Sequence, residues 1–318
     1  MTKARFHIVL FLIFLGILWL PLIQKTFTLK FEKPLMGDFK TTELVPFSRA
    51  SWFNESFQNS IISWSNESFG LRSDFVRLHN QFFFWVYGKA FANGVVVGKD
   101  QYLYEKKYID SYLGNDFKGE DALQKEIDKL KFIADTLKKI NIDLIVVISP
   151  GKGCFYPEYI PNYLLKEKGP TNYGYYVQQF KEKGIQFIDF NDYFIQQKEK
   201  SKYPLYPKTG VHWSTYGMSL AADSLIKYME YVSGMEMPNI IRDTIDVSDI
   251  PKGYDQDIED GINLLFTINK PKYAYPNVRF VSKMIHKKPS VITIGDSFWW
   301  GIYYSGIPEN VFASHEFL

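Results

Sequence analysis

Three regimes of hydrophobic patterning divide this 318-residue chain. From Ile8 to Ile23 the apolar residues run almost unbroken, interrupted only by Gly16 and Pro21, with Lys3 and Arg5 ahead of them. Such a run approaches the length that crosses a bilayer, and positive charge before it keeps the N-terminus in the cytoplasm and sends the rest outside. A cleaved signal peptide competes for this pattern. No small-x-small site follows, the next residues being Gln24-Lys25-Thr26-Phe27, so residues 1–24 are expected to be an uncleaved anchor in a single-pass protein of the cell (inner) membrane, with its bulk periplasmic. Residues 24–50 are polar and mixed, with Pro34 and Pro46, and read as a stalk.

The second regime, Trp52 to Tyr87, has apolar residues at helical spacing and many Phe and Trp. Two β runs then flank Gly98-Lys99-Asp100, predicting a hairpin over Val95–Tyr104. In the third regime, helix and strand periods alternate. Leu123, Ile127, Leu130, Ile133 and Leu137 mark one face of a helix over 121–140. Leu144–Ile148 follows as a continuous apolar run, of the kind buried on both faces of a parallel sheet. A polar, Tyr-rich helical stretch over 173–182 precedes a strand over Ile185–Phe190. Ser214 is placed to cap a helix reaching about Tyr231, with Met218, Ala221, Leu225 and Ile226 on one face. Residues 234–280 carry scattered Pro, Asp and Lys and read as an irregular insertion. Val291-Ile292-Thr293-Ile294 reads as a buried strand, with a helix after it. The alternation argues for an α/β domain over 25–318 with a largely parallel sheet, whose active site gathers at the carboxyl ends of the strands.

Composition changes this picture little. A net charge of +2 gives no electrostatic reason to expect nucleic acid as a partner. The single cysteine, Cys154, excludes an intrachain disulfide and a cysteine-based metal site. His7, His79, His286 and His315 have no spacing suited to a metal, and neither metal nor cofactor is expected. The aromatic share of 18% suits a sugar-stacking surface or a packed core equally.

Candidate chemistry sits at Gly295-Asp296-Ser297-Phe298, between the last apolar strand and Trp299-Trp300-Gly301. A serine at a strand-to-helix junction can attack an acyl carbon while backbone N–H groups receive the oxyanion. Gly-Asp-Ser arises by chance in a chain this long about one time in ten, so the motif needs a partner. His212, in Thr209-Gly210-Val211-His212-Trp213-Ser214, is the histidine placed to be its base.

Four blocks together resemble a known family. They are Val97-Gly98-Lys99-Asp100 with Tyr102-Leu103-Tyr104, Ser149-Pro150-Gly151-Lys152 with Tyr156-Pro157-Glu158-Tyr159-Ile160-Pro161, Thr209–Trp213 with Tyr216-Gly217, and Gly295–Phe298. With the stretch Asn66–Arg72, their order is similar to that of the alginate O-acetyltransferase family (AlgX/AlgJ-like), a permuted branch of the SGNH-hydrolase superfamily in which the serine block comes last. The resemblance implies a three-layer SGNH-hydrolase-like domain after a single transmembrane helix. It implies acetyl transfer to hydroxyls of an extracytoplasmic polysaccharide through an acetyl-serine. A membrane-bound O-acyltransferase would be the donor partner, and the lipid bilayer would hold the N-terminal helix. Ser297 would be the nucleophile, its N–H an oxyanion donor, and His212 the general base and acid. Lys152, Trp213 and Trp299 are candidate substrate contacts. The family pattern has an aspartate two residues before the histidine; this chain has Gly210. Asp189, Asp192 and Asp296 are candidates to replace it, Asp296 foremost. Two further readings stand open: an esterase with water as acceptor, and a polysaccharide-binding or scaffold protein that has lost activity with that aspartate. The residues after Ser297 are expected to complete little more than a helix.

Overall fold

The computed structural model describes residues 3–27, 33–37, 42–281 and 288–318; His286 lies outside the described residues. The chain divides into two compact units, residues 1–89 with 260–267, and residues 90–259 with 268–318.

The first unit is helical. α1 (Lys3–Thr26) carries the long apolar run, with Pro21 inside it and no buried residue. Its mean hydropathy reaches 2.6, and among the described residues it is the one helix long and apolar enough to cross a membrane. α2 (Arg49–Phe53), α3 (Ser56–Ser68) and α4 (Arg72–Tyr87) follow, as the helical spacing from Trp52 predicts. Two buried amides on α4 tie down the segment 260–267: Asn80 Nδ2 donates to Ile262 O, and Gln81 Oε1 accepts from Phe266 N. Trp85 stacks on Phe266 beside them.

The second unit begins with the expected hairpin. β1 (Val95–Val97) and β2 (Leu103–Glu105) pair antiparallel with Val96 opposite Tyr104. α5 (Lys106–Leu113) leads to α6 (Glu120–Lys139), which has acids in its first turn and lysines in its last, as the helix dipole favours. Leu123 and Ile127 are fully buried on α6, whereas Ile133 is exposed. β3 (Val146–Ile148) pairs parallel with β4 (Phe187–Asp189), across the short α7 (Lys152–Phe155) and α8 (Asn172–Lys183). Ile127, Phe180 and Ile185 form the small core under this pair.

The larger core lies between α9 (Phe190–Gln197), α10 (Thr215–Ser233) and the C-terminal helices α12 (Phe298–Tyr303) and α13 (Ile307–Val311). Ser214 caps α10 as expected, its hydroxyl accepting from Gly217 N at 2.9 Å. Met218, Ala221, Leu225 and Ile226 are buried along that helix.

Three expectations change. The stretch 234–280 is not irregular: β5 (Asn239–Ser248) and β6 (Tyr273–Val281) form a long antiparallel pair, with the short α11 (Asp257–Gly261) between them. Charged residues on the exposed side of β5 and Pro276 within β6 hide the strand pattern. Proline is tolerated because both strands are sheet edges. Among the described residues the strands make four two-stranded sheets, of which only β3–β4 and the terminal pair β7 (Ser290–Thr293) and β8 (Ser314–Phe317) are parallel. With β8 its sole strand partner, β7 is not covered on both faces; Ile292 is 66% and Ile294 81% exposed. The chain after Ser297 also holds more than one helix: it forms the helices α12 and α13 and the strand β8.

Gly217 shows how tightly α10 is seated: a Cβ there would lie 2.3 Å from the Leu205 carbonyl oxygen. Gly217→Ala is therefore expected to destabilise the protein by about 1–3 kcal/mol despite alanine's better helix propensity, read as a lowered midpoint in chemical denaturation.

Candidate active site

The segment Lys208–His212 is held from several sides before it presents its imidazole. Lys152 reaches it from α7: Nζ donates to Lys208 O at 2.9 Å and to Gly210 O at 2.6 Å. Tyr206 Oη donates to Val211 O, and Tyr273 Oη accepts from Lys208 N. His212 then projects between two rings, Phe298 at 4.9 Å and Tyr254 at 5.8 Å, both edge-on.

Its two nitrogens have different partners. Nδ1 lies 2.8 Å from Asp257 Oδ2, and Nε2 lies 2.9 Å from Ser297 Oγ. A carboxylate only accepts, so Nδ1 carries the proton and Nε2 offers its lone pair to the Ser297 hydroxyl. The other carboxylate oxygen of Asp257 accepts from Val211 N and from Ile258 N, both at 2.8 Å, which fixes its orientation. A hydroxyl, an imidazole and an oriented carboxylate in this sequence make an activated nucleophile.

Gly210 and Asp257 belong to one arrangement. A Cβ on Gly210 would meet Tyr254 O and Pro207 Cγ at 2.7 Å and Asp255 C at 3.1 Å. The segment that carries Asp257 therefore packs against the place where the family aspartate would start. Asp296, the foremost candidate, is not the partner: its Oδ1 accepts from Phe298 N at the start of α12. Asp189 caps α9 through Asp192 N and accepts from Tyr173 Oη, while Asp192 accepts from Gln196. Neither is bonded to His212. Asp257 escaped sequence reading because it lies 45 residues beyond His212, in a stretch that looks irregular. The one local hint is Gly210, whose missing side chain invites another segment close.

Ser297 takes ordinary right-handed helical backbone angles at the N-cap of α12, and its side chain makes no capping bond. Gly295 before it does not take a left-handed conformation, and a Cβ there would meet nothing nearer than 4.0 Å. The turn thus does not depend on glycine, contrary to the usual reason for one at such a junction. Two recesses meet at Ser297. One is a small pocket of about 30 Å³, shared with His212, Trp213, Met218, Phe298 and Gly301. The other is an open groove of about 470 Å³, bordered by Gly295, Asp296, Trp300, Tyr303, Tyr304 and Phe317.

Of the three candidate substrate contacts, only Trp213 borders a recess at Ser297. Lys152 is fully buried and serves as an internal strut, not a surface contact. Burial drives its pKa well below the usual lysine range. Trp213 is also buried, edge-on to Phe298 at 5.3 Å and packed on Phe190 and Phe194. Trp299 is half-buried against the core and His315, with its indole Nε1 buried and without a partner among the described residues. The exposed rings are Trp300 and Tyr304, 46% and 70% accessible. In a six-residue helix whose sequence is aromatic almost throughout, sequence does not say which ring faces out. No group of three or more His, Cys, Asp or Glu side chains suited to a metal is present among the described residues.

Asp255 is the one strongly shifted carboxyl of this region. It is buried beside the small pocket, its carboxylate accepts from Thr215 N, and burial pushes its pKa up to about 6. Between about pH 4 and pH 6 the unfolded chain has released a proton that the folded protein still holds, so stability falls as pH rises through that window. Asp255→Asn is expected to remove this slope. Relative to the variant, wild type should lose up to about 3 kcal/mol between pH 4 and pH 7, measured from urea midpoints across pH.

Residues 95–239 match the family model described as the SGNH hydrolase-like domain of acetyltransferase AlgX. The match includes His212 and ends before Asp257 and Ser297. The chain is 26% identical over 134 residues to the probable alginate O-acetylase AlgJ of Pseudomonas putida, covering 42% of this chain and 33% of that protein. It is 30% identical over 135 residues to the probable alginate O-acetylase AlgJ of Pseudomonas syringae pv. tomato, covering 42% and 32%. The matched stretch thus spans about a third of the length of these curated relatives. Bacillus cereus PatB1, solved with a sulfonyl adduct, is 12% identical and covers 72% of this chain and 86% of that one with a TM-score of 0.50, a likeness of fold alone. Residues 95–239 are thus similar to the SGNH hydrolase-like domain of the AlgX/AlgJ-like acetyltransferases.

Proposed function

We propose that this protein is an O-acetyltransferase that moves an acetyl group, by way of Ser297, onto hydroxyls of an extracytoplasmic polysaccharide. The observation that carries the reading is the Asp257–His212–Ser297 array, 2.8 and 2.9 Å between successive partners, in a chain with an AlgX-type domain. The relatives' printed name, alginate O-acetylase, supports a polysaccharide acceptor.

The chemistry runs in two balanced halves. His212 Nε2 takes the hydroxyl proton as Ser297 Oγ attacks the acyl carbon of a donor ester. The bond from that carbon to the donor oxygen breaks, and the proton passes from Nε2 to the departing oxygen. An acceptor hydroxyl then attacks the acetyl-serine, giving its proton to Nε2, which returns it to Ser297. Asp257 keeps Nδ1 protonated and stabilises the imidazolium of each half, the part that the family aspartate would take from position 210. The Ser297 N–H supplies one share of oxyanion stabilisation. A carboxylate at this place speaks against the scaffold reading that Gly210 had left open. The open groove suits the acceptor, with Trp300, Tyr303 and Tyr304 as ring platforms. α1 serves as the bilayer anchor, with the basic residues before it on the cytoplasmic side. A membrane-bound O-acyltransferase is the natural donor for a transferase held at that surface.

Full-length protein in detergent, incubated with p-nitrophenyl acetate and read by peptide mass analysis, is expected to carry acetyl on Ser297. Ser297→Ala should carry none. Asp257→Asn should slow acetylation by roughly 10²–10⁴-fold, whereas Asp192→Asn should match wild type. Absence of any acetylated serine in folded wild-type protein sinks the proposal.

For the acceptor side, Trp300→Ala should weaken capture of alginate oligosaccharide by about fivefold or more, the ~1 kcal/mol that truncating an aromatic contact commonly removes. Its rate of Ser297 acetylation should not change in step. Equal KM for the oligosaccharide in both proteins would exclude the groove.

A further inference from the structure

From the small pocket beside Ser297 we infer that Met218 and Gly301 set the length of the acyl group this protein can carry; the inference rests on the acyl-transfer reading above. The pocket measures about 30 Å³; Trp213, Met218, Phe298 and Gly301 form its apolar wall, and Thr215, Tyr254 and Asp255 complete the lining. A site needs about 10–15 Å³ for each water-sized group, so this space takes two or three such groups. That is room for an acetyl unit on Ser297 Oγ, and not for the further methylenes of a butyryl chain.

The wall has little capacity to yield. Trp213 is wedged by Phe190, Phe194 and Phe298. Phe298 is buried and touches the His212 ring, so displacing it disturbs the base itself. Met218 is the one flexible side chain on the apolar wall, and Gly301 is the one position where that wall is bare backbone. A Cβ at Gly301 would stand 3.5 Å from Met218 Cγ and 3.7 Å from Trp213 Nε1. These are ordinary contact distances, so an added methyl fits the fold and occupies the pocket. Alanine is also the better helix former at this place in α12. The two residues thus act from opposite sides of one gap: shortening Met218 enlarges it, and adding to Gly301 fills it.

A hydrophobic wall discriminates by roughly 10–200-fold per methylene. Full-length protein in detergent would be offered p-nitrophenyl acetate and p-nitrophenyl butyrate, with acyl-Ser297 quantified by peptide mass. Wild type is expected to prefer acetyl by at least about tenfold. Met218→Ala should shrink that preference to within a few-fold by gaining butyryl transfer. Gly301→Ala should suppress butyrylation entirely and slow acetylation, with an unchanged melting temperature. Gly301→Ala keeps the inference testable if Met218→Ala fails to fold. An acetyl-to-butyryl ratio that stays within twofold of wild type in the folded variants overturns the pocket assignment alone, leaving Ser297 as the nucleophile. Acylation of Ser297 by neither ester in wild type overturns the acyl-transfer reading and this inference with it.

Discussion

The edge-to-face contact of Trp213 with Phe298 is the constraint on which the site depends. Each ring is buried, and each is the immediate neighbour of a site residue, Trp213 of His212 and Phe298 of Ser297. The two motifs lie 85 residues apart in the chain, yet their side chains meet at 2.9 Å. Hydrogen bonding between one hydroxyl and one imidazole is too weak to bring such distant segments together, being worth about 1 kcal/mol net. The core does so instead. Trp213 joins Phe190, Phe194 and Met218 on one side, and Phe298 joins Ile302 and the last helices on the other. Once these rings interlock, His212 and Ser297 have little freedom left, and the reacting atoms inherit the precision of the core packing.

Charge is arranged around that core with equal economy. Lys152 surrenders its hydration to donate to two carbonyls of the His212 segment, with Tyr104 and Tyr206 rings near its ammonium. Burial of a lysine is tolerated only where such acceptors compensate. The same segment gives Val211 N to Asp257, so the strut and the acid hold one short stretch of backbone from two directions. Gly210 sits between them, and its bare Cα admits the neighbouring segment that brings the carboxylate in. The bare Cα at Gly210 and the arrival of the Asp257 carboxylate at His212 are thus two aspects of a single close approach.

The neighbourhood of Ser297 is asymmetric in a way that suits transfer. A narrow, mostly apolar pocket lies on one side and a wide groove with exposed rings on the other. In the acyl-transfer reading proposed above, a small acyl group and a large polymer make opposite demands on space, and Ser297 borders a recess of each kind. Asp255, buried beside the pocket, links its floor to the N-terminus of α10 through Thr215 N, and so couples the integrity of that wall to pH.

Local chemistry made much of this protein legible in its sequence. The apolar run of α1, the periodicity of α6, the cap at Ser214 and the hairpin at Val95–Glu105 depend on residues that are neighbours in the chain. Ser297 and His212 were legible for the same reason, each lying in a short motif with a recognisable place after a strand or before a helix. Long-range packing decided the rest. Whether Trp299 or Trp300 faces the groove depends on how α12 is rotated against the core, and an aromatic stretch carries no polar face to reveal it. The β5–β6 pair is stabilised by partners far apart in the chain, from Ser248 opposite Tyr273 to Asn239 opposite Val281, which no local period reports. The acid shows the division most plainly. The sequence marks Gly210 as a position without the aspartate of the family that the chain resembles. Only the tertiary structure decides that Tyr254 and Asp255 fill the space and deliver Asp257 to His212, because a gap in one segment does not encode which other segment will fill it.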